Sequence, residues 1–187
     1  GFKRKEYIEN ICRLVNTGFE NVIPVIDNKN ELFEYRFKKN AKVKLGIRIA
    51  AEEEPTFEFY TSRLGIRYND IVPYYRLYLK NHPNFELKML HFFINTGIRD
   101  NAYYWSELAK AVNVYVELKR ECPTLDSLNI GGGFPVRTSL NFDYDYQYMA
   151  EEILNQIKTI CNQNNVPEPN IYSEFGIYTV GEAGAIF

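Results

Sequence analysis

Five short apolar runs, each separated from the next by a stretch with helical periodicity, set the frame for this 187-residue chain. The runs fall at residues 22–26, 43–50, 85–93, 125–130 and 170–173. Between them, residues 29–39 place Leu32, Phe33 and Phe37 at helical spacing. Asn69 or Asp70 can cap a helix to about residue 81, and Asn101 one to about 121 with Trp105, Leu108, Val112, Tyr115 and Leu118 facing inward. Asp143 or Asp145 opens another, with Tyr146, Met149, Ile153, Ile157 and Ile160 on one face. Residues 5–17 form a leading helix closed by Gly18. In each case a short side-chain oxygen accepts from the free N–H groups of the first turn. Strands joined by helical crossovers lie parallel, because antiparallel neighbours need only a tight turn. The class is therefore α/β, with parallel βα repeats in one domain. Two architectures satisfy it: an open doubly wound sheet, or part of a (β/α)8 barrel. Both gather ligands at the carboxyl ends of the strands, so the informative residues are those that follow each run.

Charge narrows the partners. Lys plus Arg number 22 against 24 Asp plus Glu, a net charge of −2, which gives no strong positive field for a nucleic-acid backbone. The basic stretch of Arg36, Lys38, Lys39, Lys42, Lys44 and Arg48 is offset by Glu52, Glu53 and Glu54 and reads as a solvated face. No run approaches the ~18 apolar residues of a membrane span. Cys12, Cys122 and Cys161 are odd in number and widely spaced, so neither a disulfide framework nor a cysteine zinc site is expected, and a reducing, cytoplasmic compartment is. The charged opening GFKRKEY is not a signal peptide. It lacks an initiator Met, and the chain is read as an excerpt.

Several positions carry candidate chemistry. Gly131-Gly132-Gly133 follow a strand directly, and a backbone without Cβ atoms can turn consecutive N–H groups onto a phosphate. The plainer alternative is a tight strand-to-helix turn. A G-x-G-x-x-G dinucleotide turn fails here after the third glycine. Glu174 ends the last strand, where a carboxylate can keep a pyridine nitrogen protonated; a solvated or capping Glu is the alternative. His91 ends an apolar strand and Thr96 offers a hydroxyl just beyond it, although a lone His there is more often structural. Arg48 is a charge inside a strand and needs a partner if buried. Arg63 sits in the next loop, and His82 is expected to be exposed.

In order, Gly46-Ile47-Arg48-Ile49, Ser62-Arg63-Leu64-Gly65, Leu90-His91-Phe92-Phe93-Ile94-Asn95-Thr96, Gly131-Gly132-Gly133-Phe134 and Ser173-Glu174-Phe175-Gly176 resemble the pyridoxal 5'-phosphate (PLP) binding barrel of the alanine-racemase-fold decarboxylases. The branch that decarboxylates arginine is the nearest in pattern, and the opening Gly1-Phe2-Lys3-Arg4-Lys5-Glu6-Tyr7-Ile8 resembles it too. The resemblance implies a partial TIM (β/α)8 barrel spanning residues 1–187. It also implies a PLP-dependent lyase that turns L-arginine into agmatine and CO2 for polyamine synthesis, acting as a homo-oligomer. Ornithine, diaminopimelate or carboxynorspermidine remain alternative substrates, and a non-catalytic phosphate-ligand-binding homologue an alternative role. By motif, Gly131, Gly132, Gly133 and Thr96 would hold the phosphate, Glu174 would serve catalysis at the ring nitrogen, and Arg48 would lie near the ring. The chain departs from the pattern in three places. No lysine stands in the context of the family's Schiff-base lysine, which is expected upstream of Gly1. Phe93 stands where the family stacks a histidine, leaving His91 as the first of a His-x-His pair. Ile177 replaces an arginine that contacts phosphate. The family's C-terminal β-domain is also expected to lie outside this stretch. Five strands cannot close an eight-stranded barrel, so the isolated stretch is expected to be inactive, with open edges.

Overall fold

A computed structural model of the chain describes residues 1–51, 64–137 and 140–181. Its centre is a row of five parallel strands in the order β1 (Val25–Ile26), β2 (Val43–Ala50), β4 (Phe85–His91), β5 (Ser127–Gly132) and β6 (Asn170–Glu174). A two-residue strand, β3 (Ile66–Arg67), pairs in parallel with the end of β2. The helices are α1 (Lys5–Asn16), α2 (Tyr68–Tyr74), α3 (Ala102–Lys119), α4 (Tyr146–Gln163) and α5 (Gly176–Val180). Each described crossover returns the chain to a parallel neighbour, an arrangement compatible with part of a barrel.

The central strands β2, β4 and β5 hold because they are largely buried on both faces. Leu45, Ile47, Leu90 and Leu128 are sealed from solvent, and α3 packs Leu108, Val112, Tyr115 and Leu118 against them. Each such side chain contributes about 1.5–3 kcal/mol by leaving water. Trp105, on the same expected face, is only half-buried. The caps expected at Asn101 and Asp145 form: Asn101 Oδ1 accepts from Tyr104 N at 2.8 Å, and Asp145 Oδ1 from Tyr148 N at 2.9 Å.

Four elements differ from the sequence expectation. The first strand is only Val25–Ile26; Pro24 has no N–H for the ladder, and its carbonyl takes the Gly46 amide at 2.9 Å. The helix expected at 29–39 is one 3₁₀ turn, Glu31–Glu34. Beyond it the chain is drawn out along α1, where Cys12 Sγ accepts the Arg36 amide and Asn16 Oδ1 the Lys38 amide. The helix expected from 69 or 70 begins at Tyr68 behind Arg67, without a side-chain cap. Pro73 lies inside it, removing one amide donor, and the chain widens into a π-turn over Tyr75–Leu79. The fourth strand starts at Ser127 and takes Gly131 and Gly132 into its end, with a register shift between Asn129 and Gly132. Two further short elements, β3 and α5, leave no periodic signal in the sequence.

Candidate active site

The carboxyl ends of β2, β4, β5 and β6 bring most of the singled-out residues together. The parallel register pairs Arg48 with His91 and Gly132 with Glu174. A cavity of about 710 Å³ is lined by Arg48, His91, Phe93, Asn95 and Glu174, together with Lys3 from the leading segment. A smaller one of about 240 Å³ has Gly132, Gly133, Phe134 and Ile177 in its wall and shares Phe93 and Glu174 with the first. The glycine loop and the carboxylate therefore open to the same end of the sheet.

Arg48 finds the partner its position in a strand demands. Its guanidinium lies 3.4 Å from Asp27 Oδ1, and Asp27 is only 2% exposed. The β1–β2 register sets Ile26 beside Ile47, so Asp27 comes level with Arg48 one residue on. The other side of the guanidinium faces the Phe93 ring, 5.9 Å from its centroid, within cation–π range. Lys3 is nearly buried and donates to the Val25 carbonyl at 2.6 Å while pairing with Glu31 Oε1 at 2.8 Å. Glu31 in turn accepts from the Asp27 amide and from the Tyr35 hydroxyl, at 3.1 and 2.8 Å. Burial, reinforced by the Glu31 carboxylate, holds the Tyr35 hydroxyl well above its ordinary value.

His91 is 8% exposed, and its Nδ1 is buried without a hydrogen-bond partner among the described residues. The nearest acidic atom is Glu174 Oε1, at 3.7 Å. Burial pushes the His91 imidazole below its ordinary value, against the opposing pull of the Glu174 carboxylate. Glu174 itself is exposed and accepts from Asn129 Nδ2 at 3.0 Å.

The glycine triplet divides by position. The Gly131 amide donates to Asn129 Oδ1 at 2.8 Å, while Gly132 and Gly133 line the smaller cavity. A Cβ on Gly133, which has a φ of 102°, would sit 2.8 Å from Gly97 Cα, so this glycine is demanded by two loops in contact. Gly97, the residue touched, follows Thr96 directly in the chain. Thr96 is half-buried, and it is Asn95 that lines the larger cavity. His82 is exposed, and its ring stacks on Phe85. Ser62 and Arg63, the first two residues of Ser62-Arg63-Leu64-Gly65, lie outside the described residues.

Asp27, Lys3 and Glu31 belong to this cluster without standing out in the sequence. A lone arginine in an apolar strand was the usable signal: it calls for an acid at the same level on a neighbouring strand. Asp27, directly after the first apolar run, is that acid. The Lys3–Glu31 pair had no comparable signal, since it depends on the 3₁₀ turn replacing a helix. Among the described residues no helix is long and apolar enough to cross a membrane.

Several known proteins similar to this chain are named as decarboxylases. The biosynthetic arginine decarboxylase of Geobacter sp. (strain M21) is 26% identical over 194 residues, covering 96% of this chain and 31% of that protein. The enzyme of the same name from Prochlorococcus marinus (strain MIT 9215) is 29% identical over 191 residues, covering 94% and 29%. The chain thus spans about a third of the length of these relatives. Among solved structures, the biosynthetic arginine decarboxylase of Campylobacter jejuni superposes with a TM-score of 0.75 at 26% identity, covering 95% of this chain and 30% of that one. The lysine decarboxylase of Selenomonas ruminantium, at 18% identity and a TM-score of 0.70, shares the fold. Residues 3–181 match the family described as pyridoxal-dependent decarboxylase, pyridoxal binding domain. Parallel strands, a cavity at their carboxyl ends and this match together establish that the chain belongs to that family.

Proposed function

We propose that this chain supplies the cofactor-gripping side of a PLP-dependent decarboxylase that converts L-arginine to agmatine and CO2. The observation that carries the reading is the meeting of Glu174 with the glycine loop: Gly132 and Glu174 are register partners and wall the same cavity. The residues present suit the group in three respects. His91, whose Nδ1 is buried without a hydrogen-bond partner among the described residues, lines the same cavity as Glu174. An aromatic ring, Phe93, stands between the two cavities. The glycine loop offers small residues at the smaller cavity.

PLP, when bound with its ring nitrogen protonated, takes up the electron pair left as CO2 departs. In this reading Glu174 holds the proton at that nitrogen. Phe93, braced by Arg48, covers a ring face and excludes water. Gly132 and Gly133 hold the phosphate with Thr96, while Gly131 keeps its amide on Asn129 and shapes the loop. Arg48, neutralised by Asp27, acts as a rigid support. Arginine as substrate rests on the two named relatives and on the Campylobacter jejuni structure, all biosynthetic arginine decarboxylases. A cytoplasmic homo-oligomer is proposed on the same family grounds.

A second reading, PLP binding without turnover, is favoured by Ile177, which is 67% exposed at the wall where a charge is expected. One experiment separates the two. The natural full-length product is incubated with PLP and with arginine, ornithine, lysine or diaminopimelate, and amine products are identified by mass. Agmatine from arginine supports the first reading. Bound PLP without any amine supports the second. Absence of PLP binding overturns both.

A further inference from the structure

We propose that Asn129 is a positioning residue that fixes Glu174 against the glycine loop and decides which carboxylate oxygen is presented to the cavity. The inference rests on the reading of Glu174 as the group that meets the ring nitrogen.

The two ends of this one side chain are both committed. Asn129 Oδ1 accepts from the Gly131 amide at 2.8 Å, and Asn129 Nδ2 donates to Glu174 Oε1 at 3.0 Å. The Gly131 N–H can only donate and an ionised carboxylate can only accept, so the amide has one permitted orientation. The Asn129 carbonyl is also fixed, accepting the Phe92 amide at 2.9 Å across the β4–β5 pair. Asn129 therefore ties three strand ends together at the point where the register slips between Asn129 and Gly132.

Glu174 needs such a tie. Its side chain is 57% exposed on the outermost strand of the row, where a carboxylate free to rotate would rarely hold one direction. Its hydrogen bond from Asn129 falls on Oε1, and His91 Nδ1 approaches that same oxygen. With Oε1 held inward, Oε2 is the atom turned to a ligand. An aspartate at position 129 would keep an acceptor for Gly131 but set two carboxylates face to face, which disfavours the charged form of each.

The test uses the full-length holoprotein with three substitutions, Asn129→Leu, Asn129→Asp and Glu174→Gln. The readings are the PLP dissociation constant, the pH dependence of the bound cofactor's absorbance, and urea unfolding as a control for folding. Losing a hydrogen bond to a charged group predicts PLP affinity weakened roughly tenfold or more in Asn129→Leu. Asn129→Asp is expected to move the acid limb of the absorbance–pH profile up by about one unit, since a neighbouring like charge raises a carboxylate's pKa. A purely structural asparagine would lower unfolding stability and leave that limb in place. If Glu174→Gln alters affinity and profile while both Asn129 variants match the wild type, the Asn129 proposal is overturned and the Glu174 reading stands. If Glu174→Gln itself changes neither, the Glu174 reading fails and this inference falls with it.

Discussion

The Ile98 amide donates to the Gly133 carbonyl at 2.9 Å, stapling the loop after β4 to the loop after β5. The staple leaves no room between the loops: a Cβ on Gly97, which has a φ of 80°, would stand 2.6 Å from that same carbonyl oxygen. Two stretches far apart in sequence are thus set by one backbone contact, and the proposed phosphate contacts of Thr96 and Gly133 depend on it.

Gly97→Ala should therefore weaken the protein and its grip on PLP together. A side chain held at positive φ costs on the order of 1–3 kcal/mol, and the clash with backbone adds to it. Urea unfolding should show the loss, and a PLP titration of the same samples a weaker dissociation constant. Unchanged values in both would show that the loops can part freely.

The Arg48–Asp27 pair predicts a double-mutant signature. Removing Arg48 leaves the buried Asp27 carboxylate with only the more distant amino group of Gly1, 3.7 Å away, at a cost of up to about 3–5 kcal/mol, whereas removing both partners leaves no such charge. Arg48→Met alone should be strongly destabilised, and adding Asp27→Asn should recover much of the loss. Additive losses in unfolding experiments would mean that the two groups do not interact.

The buried imidazole of His91 makes a pH prediction. Burial lowers its pKa from the ordinary 6.5, so on acidification the unfolded chain takes up this proton before the folded one does. The stability kept by the neutral ring is complete above about 6.5 and is lost as the pH falls from there through the folded value. Unfolding free energies at about pH 5 and pH 7.5 should fall further in the wild type than in His91→Asn. Equal falls would place the imidazole in a solvent-like setting.

The cap on α3 gives the smallest expected effect. Asn101→Ala removes the acceptor for the Tyr104 amide and should cost about 1 kcal/mol, while Asn101→Asp retains the acceptor and should cost almost nothing. Thermal melts of the two variants side by side read the difference.

The long elements were legible because burial on both faces of β2, β4 and β5 writes itself as apolar runs, and because α3 and α4 announce their starts with Asn101 and Asp145. Residues 29–39 misled, since Leu32, Phe33 and Phe37 keep helical spacing while Glu31 turns inward to meet Lys3 and Tyr35. β3 has two residues, too few for any periodicity. Within the site, the motifs located Arg48, His91, Glu174 and the glycines. They gave no role to Asn129, whose two ends reach Gly131 and Glu174, or to Asp27, which looked like the end of a run.

The two margins of the sheet are unlike. On the β1 side there are two paired residues headed by a proline, and on the β6 side five residues leading to the solvent-facing Phe175, Ile177 and Tyr178. The longer ladder has a consequence for aim: a slip of one residue along it would carry Glu174 out of step with Gly132, so main-chain pairing on that side is what keeps the carboxylate level with the glycines.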